Sequence, residues 1–337
     1  MFEKIHESEV RGKKLSLKWI DTVKPGGRYR SRLVVREIKK AKSADEKLDP
    51  AEVFSSMPPI EGLKCLISHM MTEQKDPDGE TLCMAVWDVS RAHFYGIAER
   101  DIYTNLPDEL HEDGYVARLV KTMYGTQDAA RIWGETWIPL LEEHGIKIGL
   151  SNRSVFGNEY VRGLCHGDDF MVIASYERLL KFGKMLESRF DVRRTGLAGF
   201  GQGMDKEIVM LNRTIRIDDE EDCVELEPDA KHVEQMLKDL GLQDAKSVET
   251  PRVKLSVEEA HDIESSSILS QDESTTYRSA TMRAAYLSQD RVDITETVKT
   301  LSRAMATPRE GHLGQVKRLA RYLKGRPRTV LRYMSME

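Results

Sequence analysis

The stretches L-C-M-A-V-W-D-V (residues 82–89) and Y-V-R-G-L-C-H-G-D-D-F-M-V-I-A (residues 160–174) decide how this chain folds. The first is short, apolar and rich in strand formers, so Asp88 belongs where a buried strand surfaces. The second reads as a hairpin, with strands over 160–166 and 170–174 and Gly167-Asp168-Asp169 as the turn. If the two strands lie side by side, Asp88, Asp168 and Asp169 converge. Carboxylates crowded in this way repel one another unless a cation holds them. Magnesium suits the task, because it takes carboxylates together with phosphate oxygens, and two such ions about 3.5–4 Å apart serve in-line phosphoryl or nucleotidyl transfer. Turns also use aspartate to cap their own backbone, so taken alone Asp168-Asp169 carries a structural reading beside the catalytic one.

Composition narrows the class. A chain of 337 residues with 40% hydrophobic content supports one large multi-lobed domain or two ordinary ones. No run of about 18 apolar residues is present, and the start M-F-E-K-I-H-E-S is charged from its third residue. Neither a membrane span nor a secretory signal is expected, which places the chain in the cytoplasm or nucleus. Cys65, Cys83, Cys165 and Cys223 are scattered without C-x-x-C spacing, arguing against zinc fingers and against a disulfide framework. The net charge of -5 hides a strong division. Residues 1–42 and residues 275–337 each carry thirteen Lys/Arg against five Asp/Glu, leaving the centre at -21. Two basic ends can hold a phosphate backbone while an acidic middle concentrates metal ligands; solvated charged faces are the alternative.

Near the N-terminus, K-W-I-D-T-V-K-P-G-G-R-Y-R-S-R-L-V-V-R reads as strand, Pro25-Gly26-Gly27 turn, strand. Arg28, Arg30, Arg32 and Arg36 alternate and so share one face, a phosphate-binding strip for which arginine's planar fork is well suited. Ile60, Leu63, Leu66, Ile67 and Met70 form the apolar stripe of a core helix. Ile132, Trp133, Trp137 and Leu140 mark ordinary amphipathic packing of another. Residues 228–241 read as a helix between Pro228 and Gly241. The acidic, serine-rich stretch 251–276 reads as a linker. In the last helix, Leu313, Val316, Leu319, Ala320 and Leu323 pack, while Lys317, Arg318, Arg321 and Lys324 form a basic stripe open to phosphates or to solvent.

The ordered blocks R-Y-R-S-R-L-V-V-R (28–36), W-D-V-S-R-A-H-F (87–94), I-Y-T-N-L-P-D-E-L (102–110), M-Y-G-T-Q-D-A-A-R-I-W (123–133) and C-H-G-D-D-F (165–170) resemble the reverse transcriptase of copia-type LTR retrotransposons, a segment of a Pol polyprotein. The likeness continues through F-D-V-R-R-T-G (190–196), V-E-T-P (248–251), Y-R-S-A (277–280) and L-S-R-A-M-A-T-P-R-E-G-H (301–312) to K-R-L-A-R-Y-L-K-G (317–325). It spans nearly all of residues 13–331.

The resemblance implies an α+β right-hand polymerase fold with a C-terminal helical extension. A reverse-transcriptase-like domain would cover 13–250, with fingers at 13–80 and about 95–135, palm at 81–94 and about 136–227, and thumb at about 228–250. A linker (251–276) and a helical connection (277–337) would follow. It implies RNA-directed DNA synthesis, with Asp88, Asp168 and Asp169 as catalytic residues and ligands of two magnesium ions or manganese in their place. Arg30 and Arg32 would hold the incoming deoxynucleoside triphosphate and His93 would pack on its sugar. Gly125 would let the backbone approach template base and nucleotide closely, and Arg193 stands where a lysine is common. The stripe Lys317, Arg318, Arg321 and Lys324 would contact an RNA or DNA template-primer. A cytoplasmic virus-like particle or the nucleus would house it.

Three departures stand out. His166-Gly167-Asp168-Asp169 replaces Y-V-D-D, which changes the pair that packs near the primer terminus. F-G-Q-G-M-D-K-E-I (200–208) replaces F-L-G-I-E, and Arg193 keeps the charge of lysine without its ability to give up a proton near neutral pH. The ribonuclease H domain would begin where the chain ends, so the chain reads as a processed product, a polyprotein fragment or the reading frame of a decaying element. Two other classes stay open: a catalytically dead nucleic-acid-binding relic, and an unrelated magnesium-dependent phosphohydrolase.

Overall fold

The computed structural model describes residues 1–23, 26–38 and 48–335, and the chain divides into two compact units, Met1–Leu197 and Ala198–Glu337. Pro25, in the expected Pro25-Gly26-Gly27 turn, lies outside the described residues.

The first unit is built on a six-stranded sheet with the order Val192–Ala198, Leu82–Val89, Asp169–Ser175, Arg162–His166, Val155–Gly157, Lys147–Ile148. Leu82–Val89 lies inside this order, and every residue of it except Asp88 is buried. That is why its sequence reads as a continuous apolar run rather than an alternation. Helices Ile60–Glu73 and Tyr176–Glu187 pack against the central strands, and Ala129–Glu143 against Lys147–Ile148. Between strands and helices the aromatic rings interlock: Phe156 stacks on Phe182 at 5.8 Å and Trp137 meets Phe170 edge-on at 5.4 Å. Such ring pairs add stability beyond the area they bury.

Two smaller sheets complete this unit. Phe2–His6 pairs with Tyr115–Leu119, which continues to Tyr103–Thr104 and Lys14–Leu15. Leu17–Val23 pairs with Tyr29–Val35 in an antiparallel hairpin whose register sets Arg30 opposite Thr22 and Arg32 opposite Ile20. Of the four arginines expected on one face, Arg30 and Arg32 lie in this ladder, while Arg36 lines a groove with Lys13, Lys14 and Arg100.

The second unit contains a four-stranded antiparallel sheet, Glu207–Met210, Arg213–Asp218, Cys223–Pro228 and Leu331–Met334. Its helices are Lys231–Asp239, Val257–Ser265, Gln271–Ser288, Thr295–Arg303 and Glu310–Gly325. Tyr277, Leu287, Leu301, Val316, Leu319 and Leu323 form the centre of their shared core.

One expectation is corrected by the helices of the second unit. The stretch 251–276 is not a bare linker: it holds helix Val257–Ser265 and the first turns of Gln271–Ser288. Its serines and glutamates are helix starts, since Ser256 with Glu259 and Ser270 with Glu273 form reciprocal capping boxes. The compact units divide at Leu197/Ala198, and Leu331–Met334 pairs with residues 223–226 within the second.

An ion pair is sealed into the second unit. Arg213 Nε meets Asp290 Oδ2 at 2.7 Å with side chains 4% and 0% exposed, while Gln289 Oε1 accepts from Arg213 Nη2. Truncating one member of such a pair strands the other charge in a dry interior. Arg213→Ala is therefore expected to lower the unfolding free energy of the chain by about 3–5 kcal/mol in urea. The double variant Arg213→Met, Asp290→Leu should recover most of that loss; a single variant as stable as the parent would contradict this role.

Candidate active site

The first carboxylate is placed by a strand and the next two by a hairpin. Arg162–His166 and Asp169–Ser175 pair so that His166 faces Asp169, leaving Gly167 and Asp168 as a two-residue loop. Gly167 has φ 65°, the left-handed value that such a loop requires at its first position and that glycine adopts without strain. The loop is thus one residue shorter than read from sequence, and Asp169 belongs to the strand. This difference matters, because Asp169–Ser175 also pairs with Leu82–Val89 in a register that sets Asp169 directly opposite Asp88. Residues facing each other across adjacent strands project to the same side, with Cβ atoms about 4.5–5.5 Å apart. Asp168 follows from the loop and is tied in place, since its carbonyl accepts from Val89 N at 2.9 Å. Trp133 holds the far side by donating from Nε1 to the Gly167 carbonyl at 2.7 Å.

The crowding has an electrostatic consequence. Burial, then the charges of Asp168 and Asp88, push the Asp169 carboxyl up to about 6. All three groups are half-buried carboxylates, a donor set of oxygens that suits a hard cation such as magnesium. Among the described residues no three His, Cys, Asp or Glu side chains are already closed into a metal cage. Register and loop place the three carboxylates at one edge without bringing them into ligand contact.

Around this edge stand several of the other residues singled out from the sequence. Burial holds the His93 imidazole below its ordinary value, opposed by a 3.3 Å contact of Nδ1 with the Ala129 carbonyl and by the charge of Asp168. Its ring meets the Tyr124 ring edge-on at 4.7 Å. Arg32 places its guanidinium carbon 5.4 Å from the centre of that same Tyr124 ring. The Tyr124 phenol is raised by burial and by Asp168 and Asp88, and lowered by Arg32 and Arg30, so the charges of hairpin and carboxylates both reach it.

Gly125 is a point of close backbone approach within the chain itself. A Cβ there would sit 2.0 Å from the Val35 carbonyl oxygen, and its φ is +93°. Its bareness admits the arginine hairpin's backbone, which Val35 N completes by donating to the Tyr124 carbonyl at 2.9 Å. Just beyond the hairpin, Glu37 is bound by Arg100 at 2.8 and 2.6 Å, and Arg100 also holds Asp128 at 2.6 Å. Asp128 begins helix Ala129–Glu143, so hairpin and helix are braced through one guanidinium.

A small cavity of about 90 Å³ borders the loop at Gly167 and His93, walled by Phe54, Met57, Trp133 and Trp137; the three aspartates are not in its lining. Arg193 stands exposed on Val192–Ala198, the neighbour of Leu82–Val89 in the sheet. The basic stripe of the last helix makes contacts within its own unit. Arg318 Nη2 donates to Thr250 Oγ1 at 2.8 Å, Arg321 Nε to the Lys246 carbonyl at 2.6 Å, and Lys324 Nζ to the Ala245 carbonyl at 2.9 Å. Lys317 acts electrostatically on Glu273. Arg318, Arg321 and Lys324 thus each also tie down the segment 245–250.

With the geometry in place, comparison with known proteins becomes informative. A family model described as reverse transcriptase (RNA-dependent DNA polymerase) matches residues 5–254. The chain belongs to this reverse transcriptase family. Its fold is accordingly the α+β architecture of right-hand polymerases. The chain is 25% identical over 326 residues to the retrovirus-related Pol polyprotein from transposon RE1 of Arabidopsis thaliana, covering 92% of this chain and 20% of that protein. The corresponding polyprotein from transposon RE2 of the same plant is 25% identical over 317 residues, covering 89% and 19%. The chain therefore spans about a fifth of the length of these curated relatives. Among solved structures, a foamy viral protease-reverse transcriptase in complex with double-stranded DNA aligns with a TM-score of 0.45 and 11% identity, over 96% of this chain and 45% of that one. Among the described residues no helix is long and apolar enough to cross a membrane.

Sequence reading missed two residues here. Tyr124 was passed over for its neighbour Gly125, and Trp133 was read as packing alone; the clue for Trp133 was its indole N–H, which when buried needs an acceptor.

The raised Asp169 carboxyl gives a signed pH dependence. An acid whose folded value lies above its ordinary 3.8 binds its proton more tightly when folded, so the stability it adds is present below pH 4 and is lost as the pH climbs to about 6. At pH 7.5, Asp169→Asn should be more stable than the parent by on the order of 1 kcal/mol, with screening of a half-buried group allowed for, and the gap should close towards pH 4. Denaturant titrations at both pH values check this; a gap independent of pH contradicts it.

Proposed function

We propose that this chain is the RNA-directed DNA polymerase of a copia-type retrotransposon, extending a primer 3'-hydroxyl with deoxynucleoside triphosphates on an RNA or DNA template. The observation that carries the reading is the pairing of Asp88 with Asp169, with Asp168 in the adjoining loop, at the edge that the arginine hairpin reaches through Tyr124. Asp88, Asp168 and Asp169 would hold two magnesium ions, or manganese in their place, which would supply positive charge for the attacking and leaving oxygens of an in-line transfer.

The protein's own residues do the positioning. Arg30 and Arg32 bind the triphosphate, for which a guanidinium fork can take two oxygens at once. His93, kept neutral by burial, offers a flat ring to the sugar rather than a charge. Gly125 acts at one remove, by seating the hairpin that carries the arginines. Arg193 adds positive charge on the strand beside Asp88. Template and primer are held mainly through their phosphates, which makes binding strongly dependent on salt.

A primer-extension assay on an RNA template tests the reading. The parent chain should extend with magnesium and stop with a chelator, and Asp88→Asn and Asp168→Asn should each lose roughly a thousandfold in rate while binding primer-template about as well as the parent. Extension unaffected by Asp168→Asn would refute the assignment. Tight primer-template binding with no extension by the parent would identify a relic instead.

A further inference from the structure

The function proposed above gives Tyr124 no contact with nucleotide or metal, yet its ring and backbone join the arginine hairpin to the segment after Asp88. Its ring lies under the Arg32 guanidinium at 5.4 Å, receives the His93 ring edge-on at 4.7 Å and the Phe94 ring at 5.5 Å. Its carbonyl accepts from Val35 N at 2.9 Å, at the end of the strand that carries Arg32. One residue thus grips the hairpin twice, by ring and by backbone, and grips the segment after Asp88 twice, through His93 and Phe94. Arginine carries a long, rotamer-rich side chain, and a guanidinium stacked over an aromatic face keeps its donors free at the rim while losing most of its wandering. The imidazole at the ring edge is likewise fixed, since its Nδ1 is engaged by the Ala129 carbonyl.

We propose that Tyr124 is a positioning residue for the incoming nucleotide: it holds Arg32 over its face and His93 against its edge, so that triphosphate and sugar contacts sit at a fixed separation from Asp88 and Asp168. The inference rests on the polymerase reading above. Tyr124 touches neither the carboxylates nor, on this account, the reacting atoms. Its loss weakens nucleotide binding and leaves the chemical step largely intact, because the ligands and their register belong to the sheet. The ring supplies both contacts, so phenylalanine can stand in for tyrosine.

Steady-state extension of a primer-template as a function of deoxynucleotide concentration separates these effects, with nucleotide binding to a complex stalled on a 3'-deoxy primer as a second readout. Tyr124→Leu should raise KM and the stalled-complex Kd about tenfold with kcat within about threefold, the size of one well-ordered cation–π contact. Tyr124→Phe should return both constants to within about twofold of the parent. Arg32→Gln should raise KM on its own, and adding Tyr124→Leu to it should cost little more, because the two act as a unit. Should Tyr124→Leu lose its cooperative unfolding transition, Tyr124→Met, closer in volume to the ring, takes its place. An unchanged KM in the aliphatic variants, a Phe variant as impaired as Leu, or fully multiplicative effects in the double variant would overturn the proposal. A parent chain that extends normally while Tyr124→Leu keeps its KM removes only this role. A parent that neither extends nor binds nucleotide removes the polymerase reading and this inference together.

Discussion

The backbone register between Leu82–Val89 and Asp169–Ser175 is the constraint on which the rest depends. Side chains alternate along a strand, so a slip of one residue would turn Asp169 to the opposite side of the sheet from Asp88. Several features hold the register. Phe170 faces Trp87 on the opposite side, where the aromatic cluster with Phe156, Phe182 and Trp137 excludes any other alignment. At the loop, Val89 N to the Asp168 carbonyl and Trp133 Nε1 to the Gly167 carbonyl fasten the turn from both flanks. The sheet's apolar interior thus fixes a cluster of like charges, and burial first, then the charges of Asp168 and Asp88, raise the Asp169 carboxyl.

The arginine hairpin depends on this sheet through contacts of another kind. Its attachment is made by backbone: the Val35 carbonyl sits where a side chain at position 125 would be, and Val35 N bonds Tyr124. Arg100, shared between Glu37 and Asp128, stiffens the base of the hairpin against helix Ala129–Glu143. With the carboxylates fixed by the sheet and the arginines by the hairpin, charges of both signs act on Tyr124.

Much of this was legible in the sequence, and the failures have physical causes. The strand ending in Asp88 and the Gly167-Asp168 bend were visible because buried strands and tight turns leave strong local signatures. Whether Asp169 was loop or strand was not visible, since that hinges on a one-residue difference in loop length, set by hydrogen bonds to a distant strand. Residues 251–276 looked like a linker because capping boxes are made of the same serines and glutamates that mark flexible segments; only the S-x-x-E spacing distinguishes them. The contacts of Arg318, Arg321 and Lys324 with the segment 245–250 were not legible, because a helix pattern shows which face a cation occupies and not which carbonyls lie above it. Gly125 was recognised as a point of close approach, but the approaching group, Val35 of the chain itself, is ninety residues away and outside the reach of local pattern.

The most direct measurement of the central claim is the number of Mn²⁺ ions bound per chain, followed by electron paramagnetic resonance in the presence of a 3'-deoxy-terminated primer-template and an incoming deoxynucleotide. The account predicts two bound ions, falling to one or none in Asp88→Asn and Asp169→Asn alike. No bound ion in the parent, or a stoichiometry indifferent to Asp88 and Asp169, would contradict it.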